Sequence, residues 1–124
     1  MSDSVDPARR AAGKEIWARV MGTDPGDPGD PLREATIDFV AAEVYSRPGL
    51  SFRDRRLISL TAAAGVGAIG AIRAHLRAAI ESGDLSPDEL REFVLQFAVY
   101  QGWPRASVVN QALREVIAER EGVP

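Results

Sequence analysis

The sequence predicts an all-α fold of six helices joined mostly by short loops. Three observations carry this. Proline follows a capping residue at Asp6-Pro7, Asp30-Pro31 and Ser86-Pro87, the pattern of a helix start. Leu90, Phe93, Val94 and Phe97 recur at i, i+3, i+4 and i+7, which places them on one helical face. No segment alternates apolar and polar residues as a half-buried strand would.

The first helix is expected over about Pro7 to Met21, carrying Ile16, Trp17, Val20 and Met21. Residues 22–31, GTDPGDPGDP, repeat Asp-Pro-Gly and cannot propagate a helix or strand, so they form a surface loop. A second helix starts at Asp30-Pro31, with Ile37, Val40, Ala41 and Val44 as its apolar stripe and Phe39 off it. It ends at Arg47-Pro48-Gly49. Proline fixes its own φ and biases Arg47 away from helix, and Gly49 can take φ > 0. Ser51 caps a third helix to about Ala64, with Asp54 as the acidic half of a capping box and Leu57, Ile58, Leu60 and Thr61 inside. Its small-residue end, Ala62 to Gly65 followed by Gly67 and Gly70, either admits another backbone or bends. The fourth helix covers about Ala68 to Ser82, closed by Gly83, with Ile72, Ala79 and Ile80 inward. The fifth opens on the capping box Ser86-Pro87-Asp88-Glu89 and ends at Gly102. The sixth runs from about Pro104 to Glu119 with Val109, Leu113, Val116 and Ile117.

At 124 residues the chain reads as one domain. It is 45% hydrophobic and 27% charged, an ordinary globular balance, and a chain this size buries roughly two-thirds of its unfolded surface. Helical proteins this small often complete their core by oligomerising. The formal net charge of -3 argues against nucleic acid as a partner. The absence of cysteine excludes disulfides, thiolate metal sites and thiol redox chemistry, and one histidine excludes a His-rich metal site within one chain. The N-terminus MSDSVDPARR has no apolar signal core and no run is long enough to span a membrane, so a cytoplasmic protein without a membrane partner is expected.

The densest chemistry lies in residues 43–56, EVYSRPGLSFRDRR. Arg47 ends one helix, and Arg53, Arg55 and Arg56 project from the first turn of the next. Cations there oppose the helix dipole, and an anionic ligand or partner chain would explain them. The plainer reading pairs Arg47 with Glu43 at i, i+4 and leaves the rest solvated. His75 is the one side chain able to exchange a proton near neutral pH without a large pKa shift. It lies on or beside the apolar face of the fourth helix, where a histidine is often a core or interface residue. Arg73 and Arg77 flank it and would favour its neutral form. Tyr100 and Trp103 are pocket-wall candidates at a helix end, as is Tyr45, although taken alone these aromatics are better read as packing against a neighbouring helix. Gly65-Val66-Gly67 lacks the preceding strand and the lysine of a phosphate loop.

Several ordered motifs resemble the carboxymuconolactone decarboxylase family. They are Glu43-Val44-Tyr45-Ser46-Arg47-Pro48-Gly49-Leu50 followed by arginines, Arg73-Ala74-His75-Leu76-Arg77-Ala78-Ala79, the turn from Gly83 to Leu90, and Leu95 through Pro104. The resemblance implies an all-helical, alkylhydroperoxidase D-like bundle assembled as a homo-oligomer, trimer or hexamer. It implies one of two chemistries. Thiol peroxidase members use C-x-x-C-x-x-x-H, and Ala68 and Ala71 stand where the cysteines would be, so that activity is lost. The other is cofactor-free decarboxylation of 4-carboxymuconolactone in aromatic catabolism. The resemblance therefore implies a carbon–carbon lyase for a small carboxylated lactone or related acid, with no cofactor and no metal. His75 would be the general acid, Arg47 and Arg56 would clamp carboxylate, Glu43 would orient one of these groups, and Tyr45, Tyr100 and Trp103 would line the pocket. Two other readings stay open: a relative acting as hydrolase, isomerase or cyclase on another metabolite, and a non-catalytic helical oligomer that binds a small acid.

Overall fold

The computed structural model describes residues 6–122, and every element among them is helical. The helices are α1 (Pro7–Met21), α2 (Pro31–Ala35), α3 (Phe52–Gly65), α4 (Ile69–Ser82), α5 (Pro87–Gln101) and α6 (Trp103–Glu121). α2 continues as a π-helical segment, Thr36–Tyr45. The chain divides into two units, Met1–Phe52 and Arg53–Pro124. Among the described residues, no helix is long and apolar enough to cross a membrane.

In the first unit, the Asp6 carboxylate accepts from the Ala8 N–H, and Pro7 occupies the first turn, so α1 begins where the Asp-Pro signal puts it. Asp30 caps α2 in the same way through the Arg33 N–H. The next ten residues wind as a π-helix, a form rare beyond single turns and associated with functional sites. Hydroxyls mark its borders: Thr36 Oγ1 donates to the Leu32 carbonyl at 2.9 Å and Ser46 Oγ to the Ala42 carbonyl at 2.6 Å. The wider winding changes which residues face inward. Ile37 and Ala41 are buried as expected, but Val40 turns outward and Asp38 is buried in the stripe. Gly49 does not adopt positive φ; the corner turns through Arg47-Pro48 with the Arg47 N–H on the Val44 carbonyl at 3.1 Å.

α1 packs directly on the π-helical segment. Gly13 makes this approach possible, because a Cβ there would run into the Ile37 carbonyl oxygen.

In the second unit, α6 packs against both α4 and α5. The core holds Leu60 from α3, Ile72 and Leu76 from α4, Leu85 from the α4–α5 corner, Leu90 from α5, and Val109 and Leu113 from α6. The capping box at α5 closes both ways: the Glu89 N–H donates to Ser86 Oγ at 3.1 Å, and the Ser86 N–H to Glu89 Oε1 at 2.9 Å. The α3 face differs from expectation. Ile58 and Thr61 are exposed, and the inward row is Arg56, Leu60, Ala64 at i, i+4, i+8. The small residues that follow bend the chain. Gly67 at φ 67° closes α3, with the Gly67 N–H on the Ala64 carbonyl and the Ala68 N–H on the Ala63 carbonyl, both at 3.1 Å. Among the described residues, and beyond the neighbouring turns, no atom lies within 4 Å of a Cβ built at Gly65, Gly67 or Gly70, so the stretch bends without another part of the described chain packing on it.

The helical glycines Gly13 and Gly70 should therefore respond oppositely to alanine. Gly70→Ala meets open space and should stabilise by about 0.5–1 kcal/mol. Gly13→Ala must push α1 away from the Ile37 backbone, and overpacking of about 1–3 kcal/mol should exceed the gain in helix propensity. Urea midpoints at equal m-value measure both.

Candidate functional site

The second unit holds a buried cation, a carboxylate and the chain's only histidine. Arg56 points inward from the first turn of α3 and is 2% exposed. Its Nε donates to Asp84 Oδ2 at 2.7 Å. Asp84 follows Gly83, whose φ of 78° ends α4. The corner is held by the Gly83 N–H on the Ile80 carbonyl at 3.1 Å and the Leu85 N–H on the Ala79 carbonyl at 3.2 Å. A buried guanidinium without a partner carboxylate would be strongly destabilising, and Asp84 is that partner.

His75 lies on α4 between buried Ile72 and Leu76 and is itself half-buried. Its Nδ1 is buried and has no hydrogen-bond partner among the described residues. An unsatisfied buried polar atom costs about 1–3 kcal/mol and calls for an explanation, which a ligand would provide. Burial pushes the His75 pKa below its ordinary 6.5, and the positive charge of Arg56 pushes it further in the same direction. The ring is therefore neutral at neutral pH. An anion placed beside it would be attracted by Arg56 and would raise the imidazole pKa, giving His75 a proton to pass on.

The arginines on His75's own helix act elsewhere. Arg73 Nη1 and Nη2 bind Glu115 and Glu119 at 2.5 Å each, and Arg77 Nη2 binds Glu119 at 3.2 Å, all toward α6. The cation that favours neutral His75 is thus Arg56 rather than these two. Two of the arginines opening α3 also find their anions within the chain: Arg53 Nη2 meets Glu89 Oε2 at 2.8 Å, and Arg56 meets Asp84. The unfavourable helix-dipole placement that suggested an external anion is answered for these two by carboxylates. The resemblance implies that Arg56 clamps a substrate carboxylate; in the structure Arg56 is buried and its Nε donates to Asp84.

Trp103 walls a groove of about 240 Å³ between α5 and α6, together with Arg91, Val94, Ala98, Ala106 and Asn110. Tyr100, 79% exposed, is not in its lining, and neither are His75 and Arg56.

In the first unit, Glu43 and Tyr45 lie at the end of the π-helical segment and Arg47 in the exposed turn that follows. Glu43 Oε1 meets Arg9 Nη2 at 3.1 Å. Tyr45 stacks on Phe52 with centroids 6.3 Å apart, and the guanidinium of Arg19 sits 4.6 Å above the Phe52 ring. Arg10 grips Asp38 with two nitrogens, Nε to Oδ1 at 2.5 Å and Nη2 to Oδ2 at 2.7 Å, which holds the Asp38 carboxyl below its usual pKa range. Among the described residues no cluster of histidine, cysteine and carboxylates is arranged to hold a metal ion.

The model of one protein family, described as the carboxymuconolactone decarboxylase family, matches residues 30–115. The chain belongs to this family. Among curated relatives, a 4-carboxymuconolactone decarboxylase from Acinetobacter baylyi is 33% identical over 81 residues, covering 65% of this chain and 60% of the relative. A nitrosuccinic acid decarboxylase from Metarhizium robertsii is 36% identical over 84 residues, covering 65% of this chain and 58% of the relative. The chain thus spans about three-fifths of the length of these curated relatives. The family match takes in the π-helical segment, the Arg47 turn, His75, Arg56, Tyr100 and Trp103.

Asp84 is the site residue that sequence reasoning missed. Its partner is 28 residues away, so no helical spacing links them. The available hint was a carboxylate placed directly after the glycine that ends the histidine's helix. The pairings of Arg10 with Asp38 and of Arg9 with Glu43 were equally invisible, for the same reason.

Because His75 is the only histidine, its ring signals in NMR are unambiguous. They should titrate below 6.5. The unfolded chain then takes up a proton before the folded one does. Stability should be undiminished above 6.5, fall as pH drops through 6.5, and stop falling from this cause below the folded pKa. His75→Gln should remove that component of the pH dependence in urea titrations.

Proposed function

We propose that this chain is a cofactor-independent decarboxylase with His75 as general acid. The observation that carries the reading is the state of that residue: half-buried, with Nδ1 unpartnered, under the influence of the fixed charge of Arg56. The relatives' names support carbon–carbon lyase chemistry. The two acids they name differ in skeleton, yet each carries a group that can accept an electron pair, a lactone carbonyl in one and a nitro group in the other. The proposed substrate is a small carboxylic acid with such an internal electron sink, with 4-carboxymuconolactone as the first to test.

The bond to the departing CO2 breaks and its electron pair spreads into the conjugated carbonyl or nitro group. That sink belongs to the substrate, so the step calls for no separate electron acceptor. The carbanionic carbon then takes a proton from the His75 imidazolium, which is replenished from solvent. Arg47 is proposed to clamp a remaining carboxylate, with Glu43 orienting it, and Tyr45, Tyr100 and Trp103 to supply walls. Arg56 acts through its charge on His75. With alanine at 68 and 71, the thiol peroxidase chemistry has no nucleophile. We also propose assembly as a homo-oligomer, trimer or hexamer. Exposed Val99, Tyr100 and Trp103 around the α5–α6 corner supply apolar surface that an assembly would cover.

Incubation with 4-carboxymuconolactone, and separately with nitrosuccinic acid, should release CO2; release from neither at any pH defeats the reading. His75→Gln should lower kcat by about 10²–10⁴-fold with helix content unchanged. The kcat/KM of the parent should decline as pH rises through a midpoint below 6.5, the free-enzyme pKa of the acid. Light scattering at micromolar concentration should give a multiple of the 13.4 kDa chain mass, and a monomer mass would remove the assembly.

A further inference from the structure

We propose that Arg9 is a positioning residue for Glu43, holding its carboxylate through a guanidinium pinned to the Asp38 carbonyl. The proposal rests on the reading that places Glu43 in the decarboxylase site and adds to it the group that fixes that side chain. Arg9 lies on α1, before residues 30–115, so the match to the family model does not reach it.

Adjacent arginines of α1 meet the π-helical segment at one residue. Arg10 holds both oxygens of the Asp38 carboxylate, through Nε to Oδ1 at 2.5 Å and Nη2 to Oδ2 at 2.7 Å. Arg9 takes the backbone of the same residue, its Nε donating to the Asp38 carbonyl at 2.7 Å. The other end of the Arg9 guanidinium, Nη2, meets Glu43 Oε1 at 3.1 Å. The guanidinium is planar and Nε is its nitrogen nearest the stem, so the contact at Nε limits where Nη2 can point. The anchor is itself well placed. Asp38 is gripped by Arg10, and its neighbour Ile37 lies against α1 at Gly13, where a Cβ would not fit.

The winding is what lets one guanidinium serve both groups. Asp38 and Glu43 are five residues apart. In an α-helix of 3.6 residues per turn they would lie about 140° apart around the axis. The i→i+5 hydrogen bonds of a π-helix bring residue 43 back over residue 38. Arg9 thus bridges one turn of the segment, from a backbone carbonyl to the side chain proposed to act in the site. The side chains of Arg9 and Glu43 are 41% and 52% exposed, and an ion pair that open contributes little by itself. The backbone contact at Nε is what distinguishes this pair, because it spares Arg9 much of the freedom that a surface pair must give up. The contact takes Oε1 of Glu43 and leaves Oε2 for the group that Glu43 orients.

Arg9→Gln sets an amide nitrogen at the place of Nε, so the Asp38 carbonyl keeps a donor while the contact from Nη2 to Glu43 is lost. Three-bond couplings of Glu43, read by NMR, should report one χ1 rotamer in the parent and averaging among rotamers in the variant. The kcat should fall roughly 10- to 100-fold with KM little changed. In a Glu43→Ala background the same substitution should change kcat no further, since Arg9 acts through Glu43. A Glu43 rotamer that stays fixed in Arg9→Gln, or an equal loss of kcat in both backgrounds, would mean that Arg9 only ties α1 to the segment, and overturns the proposal. The parent is itself a test: averaged Glu43 couplings there overturn the proposal whether or not the variant folds. The couplings need no turnover. An inactive parent whose Glu43 is fixed only while Arg9 is present supports the positioning and defeats the decarboxylase reading. An active parent whose Glu43 stays fixed without Arg9 does the reverse.

Discussion

The Arg56 side chain is 2% exposed, so its guanidinium is a charge held inside the second unit. Charge is not left alone in such a place. Removing one partner of a buried ion pair typically costs about 3–5 kcal/mol, a figure reduced here because Asp84 keeps one side toward solvent. The pair ties the start of α3 to the corner after α4, and it does so next to the helix that carries the only histidine. One interaction thus fastens two regions of the fold, while burial first and the charge of Arg56 second hold the pKa of the candidate acid down. This is a common arrangement at functional sites, where burial and a fixed neighbour are used together to move a pKa.

The first unit solves a similar problem with different groups. Asp38 enters the stripe where Val40 was expected, and its carboxylate is held by both nitrogens of an Arg10 fork while Arg9 Nε takes its carbonyl at 2.7 Å. Gly13 removes the side chain that would otherwise hold α1 away from Ile37. Close backbone approach and a two-point ion pair both demand one register of α1 on the π-helical segment. That segment ends in Glu43 and Tyr45, just before the Arg47 turn, so the packing that sets its winding also sets where those side chains emerge.

Much of the helix plan was legible because it depends on near neighbours. Asp-Pro starts, the Ser86–Glu89 box and the Gly83 and Gly102 stops act within four residues of themselves, and the observed boundaries follow them closely. The winding of residues 36–45 was not legible, since the same apolar spacing suits an α-helix. The arginine cluster was visible as an oddity, but its explanation was not. Arg56 was expected to project outward, and it is instead buried with its Nε on Asp84.

What the sequence by itself determined is the all-α class, the helix starts and stops, the loss of cysteine chemistry, and His75 as the one side chain suited to proton exchange near neutrality. These follow from residue identity and short-range spacing. The tertiary structure alone decided which side of α3 faces in, which carboxylate answers which arginine, and why His75 is neutral. Those outcomes depend on partners such as Arg56 and Asp84, 28 residues apart, whose encounter is settled by the packing of whole helices rather than by any local pattern.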